Sequence, residues 1–239
     1  MKAMKILTLL LIVTVTFNAQ FVFASGTGSS RQTRDVKGFH GVSVANGIDL
    51  YLTQKNTEEV VVEASDEYID KIITTVEGGI LKIYVKDRSF INFSWNHESK
   101  KVYVSFKELN KLYASSGSDV VSQALLKLGE LDMDASSGAD IELELEAKNV
   151  TAESSSGSDI SLKGKTDDFH VSASSGSDVD AGSFESRKCN ASASSGSDVK
   201  VYVTEELSAN ASSGGDIYFS GNPKTKDINE SSGGDVHGR

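Results

Sequence analysis

The chain contains a single cysteine, Cys189, among its 239 residues. One thiol cannot form an internal disulfide, so the sequence is not that of a small fold held together by several disulfides. The stability of the fold must therefore come from side-chain packing and backbone hydrogen bonds. We predict that Cys189 is a small buried side chain and not a reactive thiol, because it is in register with the apolar repeat positions Leu131, Val150, Phe169 and Leu207.

Positive charge is scarce as well. The chain has 24 Lys and Arg residues against 34 Asp and Glu residues, a formal net charge of −10. An acidic surface repels phosphate backbones, which argues against nucleic acid and anionic lipid as partners. Cations remain possible partners.

Long hydrophobic runs are absent beyond the N-terminus. Residues 1–24 combine two lysines, an apolar run from Ile6 to Phe17 and the end Val22-Phe23-Ala24, a pattern typical of a secretory signal peptide cut after Ala24. A transmembrane anchor is the alternative, but this run is shorter than the ~20 residues of a spanning helix. Cleavage would remove two of the 24 basic residues, so the mature chain would have 22 basic and 34 acidic residues and a formal net charge of −12. We predict a flexible linker at residues 25–34 and one exported domain at residues 35–239, without a transmembrane segment.

Motifs for catalysis and for metal binding are also missing. No G-x-S-x-G nucleophile elbow occurs, and Ser197-x-x-Lys200 resembles a Ser-Lys motif only because Lys200 occupies an outward position that varies between repeats. Metal-ligand spacing is absent from the four histidines, His40, His97, His170 and His237. We therefore predict no enzyme activity, no cofactor, no catalytic residue and no metal site.

The sequence repeats one motif. Ser-Ser-Gly-x-Asp, with close variants, occurs seven times, with its glycines at Gly117, Gly138, Gly157, Gly176, Gly196, Gly214 and Gly233. Their separations are 21, 19, 19, 20, 18 and 19 residues, and this regular period predicts a solenoid in which each coil stacks only on its neighbours. The Leu-rich consensus of leucine-rich repeats and the 3.6-residue periodicity of helical repeats are both absent.

Alternating apolar residues indicate the type of solenoid. Counting from the motif glycine as position 0, position −5 holds Leu112, Met133, Ala152, Val171, Ala191, Ala209 and Ile228. Position +3 holds Val120, Ile141, Ile160, Val179, Val199, Ile217 and Val236. Period-two burial predicts a strand on each side of the glycine corner, and the remaining residues of each coil can form a third side and a loop. We predict an all-β fold, a single-stranded, right-handed, three-sided parallel β-helix (β-solenoid) with about 19 residues per coil.

The same register appears upstream around Gly47 and Asp49, with apolar residues alternating at Val42, Val44, Leu50 and Leu52. We expect Gly47 to begin the stack, residues 35–110 to form irregular first coils with a cap, and residues 111–239 to form the regular coils. In the irregular part we predict strands at Val60–Val62, Leu81–Val85 and Val102–Phe106, a turn at Glu77-Gly78-Gly79 and a short helix from Asp66 to Ile73. A helix or hairpin here would cover the open apolar end, as terminal repeats of solenoids commonly need.

The corner motif has a predicted structural role. Glycine suits a corner that needs positive φ or close approach to the next coil, and Asp two residues later can accept backbone N–H groups as in an Asx-turn. The corner pairs are Gly47/Asp49, Gly117/Asp119, Gly138/Asp140, Gly157/Asp159, Gly176/Asp178, Gly196/Asp198, Gly214/Asp216 and Gly233/Asp235. The alternative is a calcium-binding ladder that relieves repulsion between stacked carboxylates. However, one Asp per coil supplies few ligands, and the G-G-x-G-x-D signature of calcium-loaded β-rolls is missing.

One aromatic cluster breaks the strict alternation of apolar and polar residues, and it consists of Phe90, Phe93 and Trp95. We expect these side chains to plug the end of the β-helix or to pack as a loop on its first coils. Alternatively, they offer a stacking surface for a glycan or a partner protein.

The stretches Gly47-Ile48-Asp49, Gly79-Ile80-Leu81-Lys82-Ile83 and Leu109 to Gly117 resemble the head GIN domain of putative auto-transporter adhesins, a family found mainly in Bacteroidetes-type bacteria. Asp49 stands where the family triplet has Asn. The resemblance extends from about Asp35 to the end of the chain. It implies an exported, single-domain β-solenoid in the periplasm, at the outer-membrane surface or outside the cell, and it carries over no catalytic residues.

These features predict a non-enzymatic protein that presents an acidic, Ser/Asp-rich face for binding or adhesion, with a glycan or an envelope or surface protein as partner. One alternative is a β-helical polysaccharide lyase or hydrolase, which would need clustered carboxylates and a base in one special coil. Arg187 and Lys188 are the only adjacent basic pair of the regular repeats, and no matched acid constellation accompanies them in the sequence. A second alternative is a structural module that associates end to end, because the last coil has no obvious cap and would expose strand edges.

Overall fold

The computed structural model describes residues 29–86 and 99–239, which form strands and turns without any helix. The strands of these residues are β1 Ser29–Arg34, β2 Gly41–Ala45, β3 Asp49–Gln54, β4 Glu59–Ser65, β5 Ile72–Glu77, β6 Ile80–Val85, β7 Lys101–Phe106, β8 Lys111–Ser115, β9 Asp119–Ser122, β10 Leu126–Lys127, β11 Glu130–Ser136, β12 Asp140–Ser155, β13 Asp159–Ser174, β14 Asp178–Ser194, β15 Asp198–Ser212, β16 Asp216–Gly221, β17 Thr225–Ser231 and β18 Val236–Gly238. The predicted signal peptide and the cluster of Phe90, Phe93 and Trp95 lie outside the described residues. Within those residues no helix is long and apolar enough to cross a bilayer.

The regular coils are parallel strands stacked in chain order. β8 pairs with β11, and β11, β12, β13, β14 and β15 follow one another in parallel ladders. Asp140 lies beside Asp159, and Asp159 lies beside Asp178, so neighbouring coils are offset by 19 residues here. The predicted all-β parallel solenoid is confirmed.

Buried side chains occur in three short runs within one coil. In the coil from Asp178 to Ser197 these runs are Val179 and Ala181, then Phe184 and Ser186, then Cys189, Ala191 and Ala193. The pairing register with β15 shifts between Ala181 and Glu185 and again between Ser186 and Lys188. This burial pattern is the one expected of the three-sided coil that the sequence predicts.

The predicted apolar columns fill the interior. At position +3, every residue from Val120 to Ile217 is at most 1% exposed, and at position −5 every residue from Leu112 to Ala209 is at most 4% exposed. Phe169 and Phe184 meet edge to face, with ring centroids 5.3 Å apart. Burial of one Val, Leu or Phe side chain contributes roughly 1.5–3 kcal/mol, so these columns are the main source of stability.

The first coils are stacked in a different order from the predicted one. β2 and β3, which flank Gly47, pair with β8 and β9 on one side and with β6 and β7 on the other. The coil around Gly47 is therefore an inner coil, and the later segment β6–β7 forms the coil beyond it. The prediction that Gly47 begins the stack is wrong, because a corner motif marks a coil but does not show on which side the chain adds the next one.

Antiparallel strands cover this N-terminal end of the solenoid. β5 pairs with β6, β4 pairs with β7, and β1 pairs with β4, all antiparallel. The β5–β6 hairpin turns at Gly78 and Gly79, which have φ values of 59° and 78°. The predicted turn and covering hairpin are thus confirmed.

The predicted helix from Asp66 to Ile73 is wrong. Residues 66–71 form turns, and β5 already begins at Ile72. Isolated i to i+4 hydrogen bonds join Ile69 N to Ser65 O and Ile72 N to Tyr68 O. A helix does not continue because the following Ile-Ile-Thr-Thr-Val run is β-branched and favours a strand that pairs with β6.

β1 corrects the predicted flexible linker for residues 29–34, and residues 25–28 lie outside the described residues. Its residues pair with β4 in a register that sets Arg34 beside Val60. Arg31 Nη2 lies 2.5 Å from a carboxylate oxygen of Glu63, and Arg34 Nη2 donates a 2.5 Å hydrogen bond to the carbonyl of Ile69. The sequence suggested a linker because β1 is a polar edge strand and lacks the alternating apolar residues of the coils.

Candidate functional site

Each motif corner contains two consecutive residues with left-handed backbone conformation. In the central coil Ser156 has φ of 58° and Gly157 has φ of 69°, and the other six corners have the same Ser-Gly pair at positive φ. Two successive positive φ angles are the pattern of a type I′ turn, for which Asn-Gly is the preferred sequence. The repeat pattern indicates the glycine but not the left-handed conformation of the serine before it. Asn46-Gly47, also with both φ angles positive, was the signal that could have revealed it.

The corner glycines are required by backbone conformation and not by crowding. A Cβ atom added at Gly117, or at any of the six corresponding glycines, would meet no heavy atom within 4 Å. Of the two reasons considered for glycine at this place, only positive φ therefore applies. The space outside the corner is open.

The residue after the glycine buries a hydroxyl in four coils. Ser118, Ser158, Ser177 and Ser197 are 0% exposed. The hydroxyl of Ser177 donates to the Ser154 carbonyl of the preceding coil at 2.8 Å and accepts from the N–H of Ser174 in its own corner at 3.1 Å. Ser158 and Ser197 make the equivalent bonds to Ala135 O and Ala173 O. These hydroxyls connect successive coils through the interior.

The corner aspartates connect successive coils on the outside. A carboxylate oxygen of Asp159 accepts the backbone N–H of Asp178 at 3.2 Å, and Asp178 accepts that of Asp198 at 3.0 Å. Asp216 accepts the N–H of Asp235 at 3.2 Å. The donor in each case belongs to the next coil, whereas an Asx-turn would take it from the same turn.

Stacking raises the pKa of several of these carboxyl groups. Partial burial raises the pKa of Asp119, and the neighbouring Asp49 adds to the shift. Burial also raises the pKa of Asp159 and Asp198, with further increases from the aspartates of the coils on either side. The hydrogen bond from Asp178 N–H opposes this shift at Asp159. The column is thus a line of carboxylates that repel one another.

Among the described residues, no group of three or more His, Cys, Asp or Glu side chains is arranged to hold a metal ion. The corner aspartates lie in a row, one in each coil, and do not converge on one point. The arrangement offers a repeated set of acceptors to an extended ligand.

We call the outer row of corner residues the Ser/Asp ridge. It consists of the left-handed serine, the glycine and the aspartate of the seven motifs, from Ser116 to Asp235. Serine and glycine are exposed in all seven corners, and the aspartates are exposed or half-buried. Neighbouring strands of a sheet are ~4.8 Å apart, so the ridge presents one hydroxyl and one carboxylate at each such step.

A second row of charges contains the basic pair Arg187 and Lys188. Arg187 lies between coils, with its guanidinium 3.4 Å from Asp167 and 3.0 Å from Glu205. Lys188 Nζ lies 3.3 Å from Glu206. Hydrogen bonding to Arg187 lowers the pKa of Glu205. The acids that the sequence did not reveal come from neighbouring coils, and the basic side chains are engaged in surface ion pairs.

The structure also places Ser197 and Cys189, two further residues that the sequence singled out. The hydroxyl of Ser197 is buried and donates to Ala173 O, whereas Lys200 Nζ lies 3.5 Å from Asp180 on the outside, so this pair does not form a Ser-Lys site. Cys189 is 4% exposed, and burial raises its thiol pKa to about 12. The prediction that Cys189 is buried is confirmed.

The fold and the ridge define a β-solenoid with a repeated corner motif. A family model described as the head GIN domain of putative auto-transporter adhesins matches residues 38–223. The chain belongs to this family. A comparison with curated proteins finds no match.

Three solved structures share the fold. A putative adhesin from Bacteroides fragilis NCTC 9343 is 18% identical, with 90% of this chain and 98% of that chain covered and a TM-score of 0.81. A putative lipid binding protein from Parabacteroides distasonis ATCC 8503 is 21% identical, with coverages of 88% and 97% and a TM-score of 0.66. A putative adhesin from Parabacteroides merdae ATCC 43184 is 14% identical, with coverages of 90% and 97% and a TM-score of 0.69. At these identities the likeness establishes the fold alone.

Proposed function

We propose that the protein is an exported, non-enzymatic binding protein of the cell envelope, and that the Ser/Asp ridge contacts its ligand. The observation that carries this proposal is the exposure of the same serine and aspartate groups along seven successive corners. Membership of a family described as adhesin heads supports a surface role. The signal-peptide pattern of residues 1–24 supports export, to the periplasm, the outer-membrane surface or the outside of the cell.

The ridge favours an extended ligand with many hydrogen-bond donors. Its carboxylates and serine hydroxyls recur at the strand spacing of ~4.8 Å, so a polymer lying along the solenoid would meet equivalent groups at successive coils. A glycan chain has hydroxyl donors of this kind, and a polar surface protein is the other partner that fits. Individually weak contacts repeated along a chain give useful affinity through effective concentration.

The uniformity of the coils argues against the alternative of a polysaccharide lyase or hydrolase. Such an enzyme needs an acid and a base with different pKa values at one position. The corner carboxyl groups with a shifted pKa are instead shifted in the same direction by the same causes. Arg187 and Lys188, the candidate bases, are paired with acids of adjacent coils.

The test is a glycan array probed with the mature protein, with and without calcium, beside a lyase and hydrolase screen. A ridge variant would carry Asp→Asn at Asp140, Asp159, Asp178 and Asp198. Asparagine keeps the oxygen that accepts the next coil's N–H, so the fold is retained while the ridge loses four charges. A control variant loses four exposed charges elsewhere, through Asp132→Asn, Glu144→Gln, Glu153→Gln and Glu185→Gln.

We expect ligand binding to fall at least tenfold in the ridge variant and to change little in the control. Equal losses in both variants would show that net charge alone drives binding and would refute the ridge as the site. If the unaltered protein turned over a polysaccharide and the ridge variant did not, the enzymatic alternative would be established instead.

A further inference from the structure

Among the residues that the structure describes, β17 is the last strand on one side of the solenoid and is paired along one edge alone. Its only pairing within the described residues is with β15, which places Lys226 beside Leu207 and Ile228 beside Ala209. All seven of its residues are exposed. In a parallel ladder alternate residues direct their N–H and C=O groups to opposite neighbours, so β17 presents unpaired backbone groups on its free side.

An apolar core column also reaches this edge. Ile228 continues the column of position −5, and it is 41% exposed, whereas Ala209 directly beneath it is 0% exposed. A further strand beside β17 would bury Ile228 and pair the free backbone groups at once.

At the opposite end of the solenoid, the edges of the terminal strands β6 and β7 are already covered within the described residues. There β4 and β5 already pair with the terminal strands β7 and β6, and β1 pairs in turn with β4. A head-to-tail stack that paired β17 with β6 or β7 would have to displace these strands. The free edge of β17 is therefore best matched by a second free edge of the same kind.

We propose that β17 pairs antiparallel with β17 of a second copy, which joins two solenoids end to end around a two-fold axis at Ile228. This inference is independent of the proposed ligand. In this register every residue of the strand meets a complementary one: Ile228 meets Ile228, Lys226 meets Glu230, Asp227 meets Asn229, and Thr225 meets Ser231 of the second copy. The strand sequence Thr-Lys-Asp-Ile-Asn-Glu-Ser is thus complementary to itself in reverse.

The two charged residues give the register its specificity. Within one copy, Lys226 Nζ lies 5.5 Å from the Phe219 ring centroid and Glu230 accepts the Val236 N–H at 2.8 Å, so pairing across the two-fold axis exchanges these contacts for the Lys–Glu pairs. Lys226 and Glu230 lie two residues on either side of Ile228 in β17, so they share its inward-facing register. Two-fold symmetry forms the Lys–Glu pair twice, and opposite charges directly across an antiparallel pair are stabilising. Inward-pointing charges on an edge strand can also prevent association. If the charges of Lys226 and Glu230 specify the pairing, a protein in which they are exchanged should still dimerise. If they protect the edge, the protein should stay monomeric.

Sedimentation over a range of protein concentrations, with charge variants, separates these roles. We expect a monomer–dimer equilibrium that weakens roughly tenfold in Lys226→Glu and in Glu230→Lys, since each change puts like charges opposite one another twice. The double variant Lys226→Glu with Glu230→Lys exchanges the charges and should restore dimerisation. A protein that stays monomeric at high concentration would show that these residues protect the edge, and assemblies larger than a dimer would show head-to-tail stacking; either result overturns the proposal.

Cysteine cross-linking tests the position of the axis. Ile228→Cys places the two thiols across an antiparallel pair, where Cα atoms lie about 5 Å apart, within disulfide range. Thr225→Cys is the control, because its two copies would be about 20 Å apart in this register. Cys189 is buried and stays silent. We expect oxidation to give a covalent dimer with Ile228→Cys alone, and equal cross-linking of both variants would overturn the register.

Discussion

Two kinds of glycine turn the chain in this solenoid, and they differ in what they tolerate. Gly157, a corner glycine of the Ser/Asp ridge, has φ of 69° and open space around a would-be Cβ. Gly164, at a bend within β13, has φ of 117°, and its would-be Cβ lies 2.0 Å from the carbonyl oxygen of Leu145 in the preceding coil. Gly157 is needed for conformation alone, whereas Gly164 is needed for conformation and for close contact between coils.

The comparison shows that repetition in the sequence does not measure structural constraint. The corner glycine recurs seven times because each coil repeats the same turn, yet each copy has room around it. Gly164 has no counterpart at the paired positions Leu145 and Phe184 of the adjacent coils. Nevertheless, it is the more constrained residue. Gly221, which also follows its corner glycine by seven residues, shares this constraint, with φ of 93° and a would-be Cβ 2.1 Å from the carbonyl oxygen of Val203.

The largest expected effect comes from Gly164→Ala. The added methyl group would overlap a backbone carbonyl in a region of φ that L-residues rarely adopt, so we expect a loss of about 3 kcal/mol or more in the free energy of unfolding. Gly157→Ala, which adds only the strain of positive φ, should lose about 1 kcal/mol. Urea unfolding followed by circular dichroism measures both. Equal losses would contradict the distinction between the two bends.

The parts of the fold that follow the repeat could be predicted from the sequence. The columns of positions −5 and +3 are fixed by alternation, because a shift of one residue would turn every apolar side chain outward. The same register predicts that Cys189 is buried. The ridge could be located as a corner for this reason, although the left-handed serine beside each glycine was missed.

The parts that depend on non-repeating contacts could not be predicted. β6 and β7 lie beyond the coil of Gly47 because the chain returns to stack on that side of the coil. No local sequence pattern indicates on which side it stacks. β1 is a polar edge strand, and residues 66–71 have turn and helix propensities too similar to separate without their partner strands. The partners of Arg187 come from adjacent coils, so their proximity follows from the coil register and not from the local sequence.

The next effect tests the interior hydroxyls that accompany the ridge corners. Ser177→Ala removes the bond to Ser154 O and leaves the Ser174 N–H without its hydroxyl acceptor, so we expect a loss of about 1–3 kcal/mol in the free energy of unfolding. Ser175→Ala is the matched control, because Ser175 is exposed beside the same glycine. The reverse change, Ala139→Ser, adds the hydroxyl to a coil that lacks it and should gain about 1 kcal/mol. A loss in Ser175→Ala as large as that in Ser177→Ala would show that the buried hydroxyl has no special role.

A smaller effect concerns the pH dependence that the aspartate column gives to stability. The pKa of Asp159 is raised in the folded state by burial and by neighbouring aspartates, so its protonated form is favoured by folding. Its contribution is fully present below the unfolded-state pKa and is lost as pH rises through the folded-state pKa. Asp159→Asn should therefore be more stable than the unaltered protein at pH 7, by up to about 1 kcal/mol after solvent screening.

Thermal unfolding of both proteins from pH 3 to pH 7 measures this difference, which should shrink toward the acid end as Asp159 becomes protonated. Glu153→Gln removes an exposed carboxylate outside the aspartate column and serves as the control. If Asp159→Asn were less stable at pH 7, the hydrogen bond to Asp178 N–H would outweigh the repulsion within the column.

The smallest effect tests the left-handed serine itself. Ser156 has φ of 58°, a region in which asparagine is several-fold enriched, so Ser156→Asn should gain about 0.5 kcal/mol in the free energy of unfolding. Ser155→Asn, one residue earlier at a position without positive φ, should give no gain. The pair Asn46-Gly47 has the same geometry, so the substitution introduces nothing foreign to this fold. A gain in stability only at Ser156 would mean that the serines of the ridge are retained at some expense in stability, as expected of residues that contact a ligand. If Ser156→Asn gave no gain, the ridge serines would be ordinary turn residues, like the glycines.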